Sequence, residues 1–476
     1  VKDAARGAPE RGSSADRREF LERYPEFRIT QIIDELRASD FSRLDAQGHV
    51  YLDYTGGGLY GDTIVRRHAE FLLGHVLGNP HSSNPSAKLS TDHLEGCRGR
   101  VLRFFNASED EYTVVFTSNA THALKLIGEG YPFCSGDVLL LSFDNHNSVN
   151  GIREFDRARG AVTRYVPVMP PDLRMLDCML ERWLEETPKV CNRLFAYPAQ
   201  SNFSGVQHPL EWIERAHESG WDVLLDAAAF VPTNRLDLGR WRPDYVAVSF
   251  YKMFGYPTGV GALIARHEAL EKLSRPWFGG GTITVASVQA DKYFLAQGAR
   301  GFEDGTPNYA CLPAVELGLD YLDTIGMETI HTRVICLAGW LITRMAALTH
   351  GNGRPLIRIY GPTDTTMRGG TVAFNVYDAR GVSIDHLLVE ERANKWNISL
   401  RTGCFCNPGA GELALGLSKD DMTQCLGRSG ARMSLEEFRQ CIDGKSTGAV
   451  RVSLGLVTNF EDVQTFISFL SEFREA

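Results

Sequence analysis

Between about residues 112 and 265 the chain alternates short apolar runs with amphipathic stretches, and this constrains its fold more than any other feature. The runs are Thr113–Phe116, Val138–Leu141, Leu194–Tyr197, Val223–Leu225, Tyr245–Val248 and Gly259–Ile264. Strands buried on both faces read this way, with helices covering the sheet. The pattern predicts an α/β fold with a mostly parallel sheet and right-handed crossovers. After Cys311 come helical segments at Leu312–Ile325 and His331–Thr349, then apolar runs at Thr371–Val376 and Ala449–Leu454. They predict a smaller α+β domain over residues 311–476, with residues 19–55 packing against it and 56–310 forming the large domain. Residues 1–18 are polar and charged without an apolar core and read as a floppy leader. The polar stretch Gly411–Thr447 reads as a long loop with one or two short helices.

The residues at the end of each run matter more than the runs themselves. The first run leads into Thr117-Ser118-Asn119-Ala120-Thr121 and the second into Ser142-Phe143-Asp144-Asn145-His146. The third leads to Gln200-Ser201-Asn202, the fourth to Asp226, and the fifth to Ser249-Phe250-Tyr251-Lys252. Open parallel sheets bind ligands at the carboxyl ends of their strands. Five consecutive strand ends therefore offer anion donors, an imidazole, an amide, a carboxylate and an amine.

That set suits pyridoxal 5'-phosphate. The cofactor needs a lysine and an acid beside its ring nitrogen. Lys252 supplies the amine, and Asp226 would keep the pyridinium protonated. His146 could stack on the ring, and Asn202 could donate to the ring oxygen. Residues Ser118, Asn119, Ala120 and Thr121 open an amphipathic segment whose N-terminal amides and hydroxyls would receive the phosphate, with Ser249 a second donor. Each residue also has an ordinary structural reading. Asp226, Ser118 and Thr121 could be caps, Asn202 a turn residue, and His146 and Lys252 surface side chains.

A second motif, Arg401-Thr402-Gly403-Cys404-Phe405-Cys406-Asn407-Pro408-Gly409, places a fixed cation five residues before a thiol. Arg holds a small carboxylate by paired hydrogen bonds, and an exposed Cys is a nucleophile. The two together suggest sulfur chemistry on an amino acid. A structural metal is not expected, because one Cys-x-Cys followed distantly by Cys425 and Cys441 lacks paired ligand spacing. The net charge of −9 gives no reason to expect nucleic-acid binding. No apolar run reaches membrane-span length. Ten scattered cysteines without a secretory signal point to reduced thiols in the cytoplasm.

The strand-end segments, with Gly305-Thr306-Pro307-Asn308 and Arg401-Thr402-Gly403, resemble those of class V, fold-type-I pyridoxal-phosphate enzymes, the cysteine-desulfurase-like group. Within it the chain is similar to the desulfurase-like domain of molybdenum cofactor sulfurases. Segments such as Gly78-Asn79-Pro80-His81-Ser82, Pro198–Gly205, Ser249–Gly259, Cys404–Gly409 and Gly448–Ser453 carry that likeness. The resemblance implies Lys252 as the Schiff-base lysine, Asp226 at the ring nitrogen, His146 stacked on the ring and Asn202 near its oxygen. It places Arg401 on the substrate carboxylate and Cys406 at the persulfide position, ahead of Cys404. It has Thr306 reach the phosphate of a neighbouring subunit, hence a homodimer. The implied activity removes sulfur from L-cysteine or a relative, giving alanine. The alternatives are a C–S β-lyase or an aminotransferase-type enzyme without a persulfide, and a degenerate binding scaffold. Ala229 and Tyr251 replace the Gln and His of ordinary desulfurases, and Gly411 stands where the sulfurases often carry a further Cys. The eukaryotic sulfurases continue into a β-rich domain that binds the molybdenum cofactor; the resemblance therefore leaves two expectations, that a separate protein or small molecule accepts the sulfur or that the scaffold serves another reaction.

Overall fold

The computed structural model describes residues 14–188, 190–427, 433, 437 and 448–475. Six of the apolar runs and one further segment form a seven-stranded sheet. Its strands are β1 (Tyr112–Thr117), β2 (Val138–Ser142), β3 (Val162–Val166), β4 (Arg193–Pro198), β5 (Asp222–Asp226), β6 (Tyr245–Ser249) and β7 (Gly261–Arg266). The order across the sheet is β1-β7-β6-β5-β4-β2-β3. Strands β3, β2, β4, β5 and β6 pair parallel in that order. Alternate side chains fill two separate cores. Val114, Leu140, Phe195, Val223 and Val246 lie on one face, and Val115, Leu139, Leu194, Leu224 and Ala247 on the other. This period-two division, with both faces apolar, is what a helix-covered sheet requires.

Two details depart from the sequence reading. The run at Gly259–Ile264 forms β7, which is antiparallel to both β1 and β6. Its connection from β6 is only the five-residue helix Phe250–Phe254 and a turn, so the chain returns beside β6 rather than crossing over the sheet. Strand β3 is absent from the pattern of apolar runs, because it lies at the sheet edge with Val162 exposed and Thr163, Arg164 and Tyr165 half-buried.

A third core belongs to a four-stranded antiparallel sheet of β8 (Ile357–Tyr360), β9 (Thr371–Val376), β10 (Arg401–Gly403) and β11 (Ala449–Ser453), in the order β8-β9-β11-β10. Phe20, Phe27, Val50 and Leu52 pack into this core with Trp340, Phe374 and Val452, and Val50–Tyr51 pairs parallel with Ile398–Ser399. The leader reading falls largely outside the described residues. Ser14–Arg18, however, already belong to the helix Ser14–Arg23, which is anchored by buried Phe20 and an Arg17–Glu461 ion pair of 2.6 Å. The helix Leu312–Ile325 packs with Pro85–Phe104 in the core of the large sheet. The described part of the polar stretch after Gly411 holds the end of the helix Pro408–Leu415 and the helix Lys419–Leu426.

Candidate active site

The carboxyl ends of β1, β2, β4, β5 and β6 converge on a cavity of about 160 Å³. Asn119, Ala120, Thr121, His146, Asn202, Asp226, Ser249 and Lys252 all line it, as the strand-end reading expects. After β1 the helix Ala120–Gly130 begins, capped by Asn119, whose side chain accepts the His122 amide at 3.0 Å. The Ser249 hydroxyl accepts the Ala120 amide at 2.8 Å, joining the ends of β1 and β6. Thr121 and Ser148 share a hydroxyl–hydroxyl bond of 2.8 Å. A helix N-terminus with hydroxyls beside it is a receptive place for a phosphate.

Lys252 is the unusual member. Its side chain reaches the cavity but is otherwise enclosed by protein, and it forms no ion pair with any described residue. A lysine half-buried in a cavity wall ordinarily has a counter-ion. Burial pushes its pKa below the ordinary lysine value; Asp226 pulls it back, while Arg451 and Arg401 push it down further. Asp226, almost fully buried, accepts the Ala228 amide on Oδ1 at 3.1 Å, and no described donor meets Oδ2. Burial likewise lowers the pKa of His146, against the pull of Asp226. Its Nδ1 accepts the Ser148 amide at 3.1 Å, so the neutral ring carries its proton on Nε2. An anion-receptive helix end, an acid with a free oxygen and an unpaired, half-buried amine fit the phosphate, ring nitrogen and aldehyde of pyridoxal phosphate.

Four expected residues lie outside this lining. Ser118 is exposed and faces His122. Thr306 is exposed and accepts a bond from Asn79 at 3.2 Å. Arg401 is half-exposed on β10, and Cys406 is exposed in the turn that follows, as is Cys404. That turn is nonetheless tied to the cavity. Asn202 donates its amide to the Phe405 carbonyl at 2.7 Å, and its oxygen accepts from Asn407 at 2.9 Å. The expectation that Asn202 serves a ring oxygen must therefore share its amide with this anchoring role. The Asn147 amide donates to the Cys406 carbonyl at 2.7 Å. Phe405 and Cys406 both have left-handed backbones, with φ of 55° and 56°. Non-glycine residues adopt that region at a cost, which these bonds offset.

Tyr251, noted in the sequence only as a replacement for His, lies in the cavity wall, and Asp53 and Arg451, given no role by sequence reasoning, adjoin Arg401. Burial raises the pKa of Tyr251, so its phenol stays protonated at neutral pH. The available signal is Gly56-Gly57-Gly58, three glycines shortly after Asp53, which mark close backbone approach. A Cβ at Gly58 would lie 2.8 Å from the Lys252 carbonyl oxygen.

The aminotransferase class-V family model matches residues 50–466. The chain belongs to that family. This class-V chain is 39% identical over 466 residues to the human molybdenum cofactor sulfurase, covering 92% of itself and 51% of that protein. It is 37% identical to the tomato molybdenum cofactor sulfurase, covering 57% of it. The chain thus spans about half the length of these curated relatives. Its fold matches that of an apo cysteine desulfurase from Thermococcus onnurineus, with a TM-score of 0.76 at 23% identity over 92% of this chain and 97% of that one.

Proposed function

We propose that this class-V chain is a pyridoxal-phosphate enzyme that takes sulfur from L-cysteine or a close relative, leaving alanine. The observation that carries the reading is Asn202, which lines the amine-bearing cavity and also holds the thiol turn at Phe405. It joins a place for the amino acid's amine to a place for its sulfur. The likeness to molybdenum cofactor sulfurases across 92% of the chain supports it.

When bound, pyridoxal 5'-phosphate supplies an electron sink for bonds to the substrate's α- and β-carbons. Lys252 would hold the cofactor and, once displaced by the substrate amine, move protons as a neutral base. Asp226 would keep a proton on the ring nitrogen, and His146 would cover the ring. Asn119, Ala120, Thr121 and Ser249 would receive the phosphate; Ser118, expected from the strand-end chemistry to join them, stands at the same helix entrance outside the cavity lining. Arg401 would orient the substrate carboxylate. The Cys406 thiolate attacks the substrate sulfur, the carbon–sulfur bond breaks, and carbon takes a proton. One thiol and one cysteine thus give one persulfide and one alanine. The sulfur then passes to an acceptor protein or small molecule.

A homodimer is part of the proposal. Thr306 would complete the phosphate site of a second copy. Gly305 donates to Gly280 at 2.9 Å, placing the Thr306 turn beside the base of the hairpin Ile283–Ser287/Lys292–Leu295. That hairpin exposes Val285, Val288 and Phe294, and such exposed apolar side chains support an interface there. A cytoplasmic location is also proposed. Eight free cysteines among the described residues suit a reducing compartment, whereas the buried Cys425 is disulfide-bonded and argues the other way. Among the described residues no single helix is long and apolar enough to cross a membrane.

Product analysis tests the activity. Holoenzyme given L-cysteine should yield alanine and a persulfide that mass spectrometry maps to Cys406. Cys406→Ala should still change the cofactor's absorption with L-cysteine yet form no alanine. Undiminished turnover of that variant to pyruvate and ammonia would replace the desulfurase with a C–S β-lyase, and a persulfide on Cys404 would exchange the two thiols' roles.

A further inference from the structure

Arg401 and Arg451 face each other as paired residues on the antiparallel strands β10 and β11. Like charges at opposed positions repel, and Arg451 is buried to 2% exposure. One carboxylate stands between them. Asp53 Oδ2 accepts from Arg401 Nε at 3.1 Å and Nη2 at 2.7 Å, while Oδ1 accepts from Arg451 Nη2 at 2.9 Å. Arg451 is fixed independently. Its Nη1 donates to the Asn202 carbonyl at 3.0 Å, and its guanidinium lies 4.8 Å from the centre of the Phe405 ring. Asp53 therefore ties a half-exposed guanidinium to a buried one with its own anchoring contacts. Backbone pairing of Asp53 with Ser453 holds it in turn.

We infer that Asp53 is a positioning residue for the substrate carboxylate: it orients Arg401 against Arg451 and leaves the Nη1 group of Arg401 to face an anion. The inference rests on the reading of Arg401 as the carboxylate holder. Two arginines and one aspartate give the cluster a net charge of +1, which a substrate carboxylate neutralises. The local sequence serves the arrangement. A Cβ at Gly56 would overlap both the Arg401 guanidinium and the Asp53 carboxylate, so the first of the three glycines makes room for the pair.

Charge and orientation predict opposite results for Asp53→Asn. Were Asp53 only a counter-ion, its neutralisation would raise the cluster to +2 and tighten binding of an anionic substrate. If it positions Arg401, binding weakens although the site has become more positive. The test titrates holoenzyme with L-cysteine and with L-cysteine methyl ester, reading the half-saturating concentration from the cofactor's absorption. Asp53→Asn should raise that concentration for L-cysteine by about ten- to a hundredfold, the range for one lost charge-assisted hydrogen bond, and leave the ester unchanged. Gly56→Ala, which displaces the pair without altering any charge, should do the same and serves if Asp53→Asn does not fold. In an Arg401→Ala background Asp53→Asn should add nothing, since the two act as one unit. Equal losses for acid and ester, or tighter binding of L-cysteine, would overturn the role of Asp53. If Arg401→Ala itself keeps the preference for the acid, the carboxylate-holder reading fails instead.

Discussion

Lys252 enters the folded state with a charge its surroundings disfavour. Burial and two nearby guanidinium groups outweigh the help of Asp226, so its pKa lies below the ordinary lysine value. The neutral, nucleophilic form is therefore populated at a lower pH than for surface lysines. Competitive labelling of cofactor-free protein with an amine-reactive reagent, followed over pH by peptide mapping, should show Lys252 reacting ahead of Lys125 and Lys395. A titration indistinguishable from theirs would remove the basis for its role. Lys252 and Asp226 are legible in the sequence because Asp226 ends its strand and Lys252 lies in the short helix directly after β6, where the chain brings the side chain to the cavity. Asp53 and Arg451 are not. They meet across 398 positions of sequence, and no local pattern marks a residue whose partner is that distant. Asn202 is legible as a site residue, but its bond to Phe405 is not, since that depends on how the two sheets face each other.

Among the elements, the turn before the helix Pro408–Leu415 is the most tightly determined. Asn407 is fully buried, donates to the Asp144 carbonyl at 2.7 Å and caps the helix through Ala410 at 3.2 Å. Gly409 sits against the turn after β2, and a Cβ there would run into the Phe143 carbonyl. Gly409→Ala should therefore push the Cys406 turn away from the cavity and destabilise the fold by about 1–3 kcal/mol, as overpacking does. The check is a denaturant titration beside the persulfide yield; unchanged values of both would show that the turn tolerates displacement. The alternation of apolar runs reveals where strands lie but not their direction, which is why β7 reads as parallel from sequence. Hydrophobicity is the same in either sense, and only the short connection from β6 decides it.

For the molecule as a whole, the exposed hairpin and the Thr306 turn lie on one surface, and a two-fold pair is the commonest way to cover such a surface. Sedimentation of the holoenzyme should give a dimer. Val288→Asp, at a fully exposed position of the hairpin turn, should weaken it and lower cofactor affinity together. A monomer that keeps the cofactor with undiminished affinity would separate Thr306 from the site. The Asp53–Arg401–Arg451 cluster has one more consequence, for the order in which the protein is made. A ribosome builds the cavity from residues 119–252 long before it reaches β11. The anion grip needs one side chain from residue 53 and another from residue 451, so no stretch shorter than that span contains it. During synthesis, the part of the site that would recognise the amino acid's carboxylate is the last to become available.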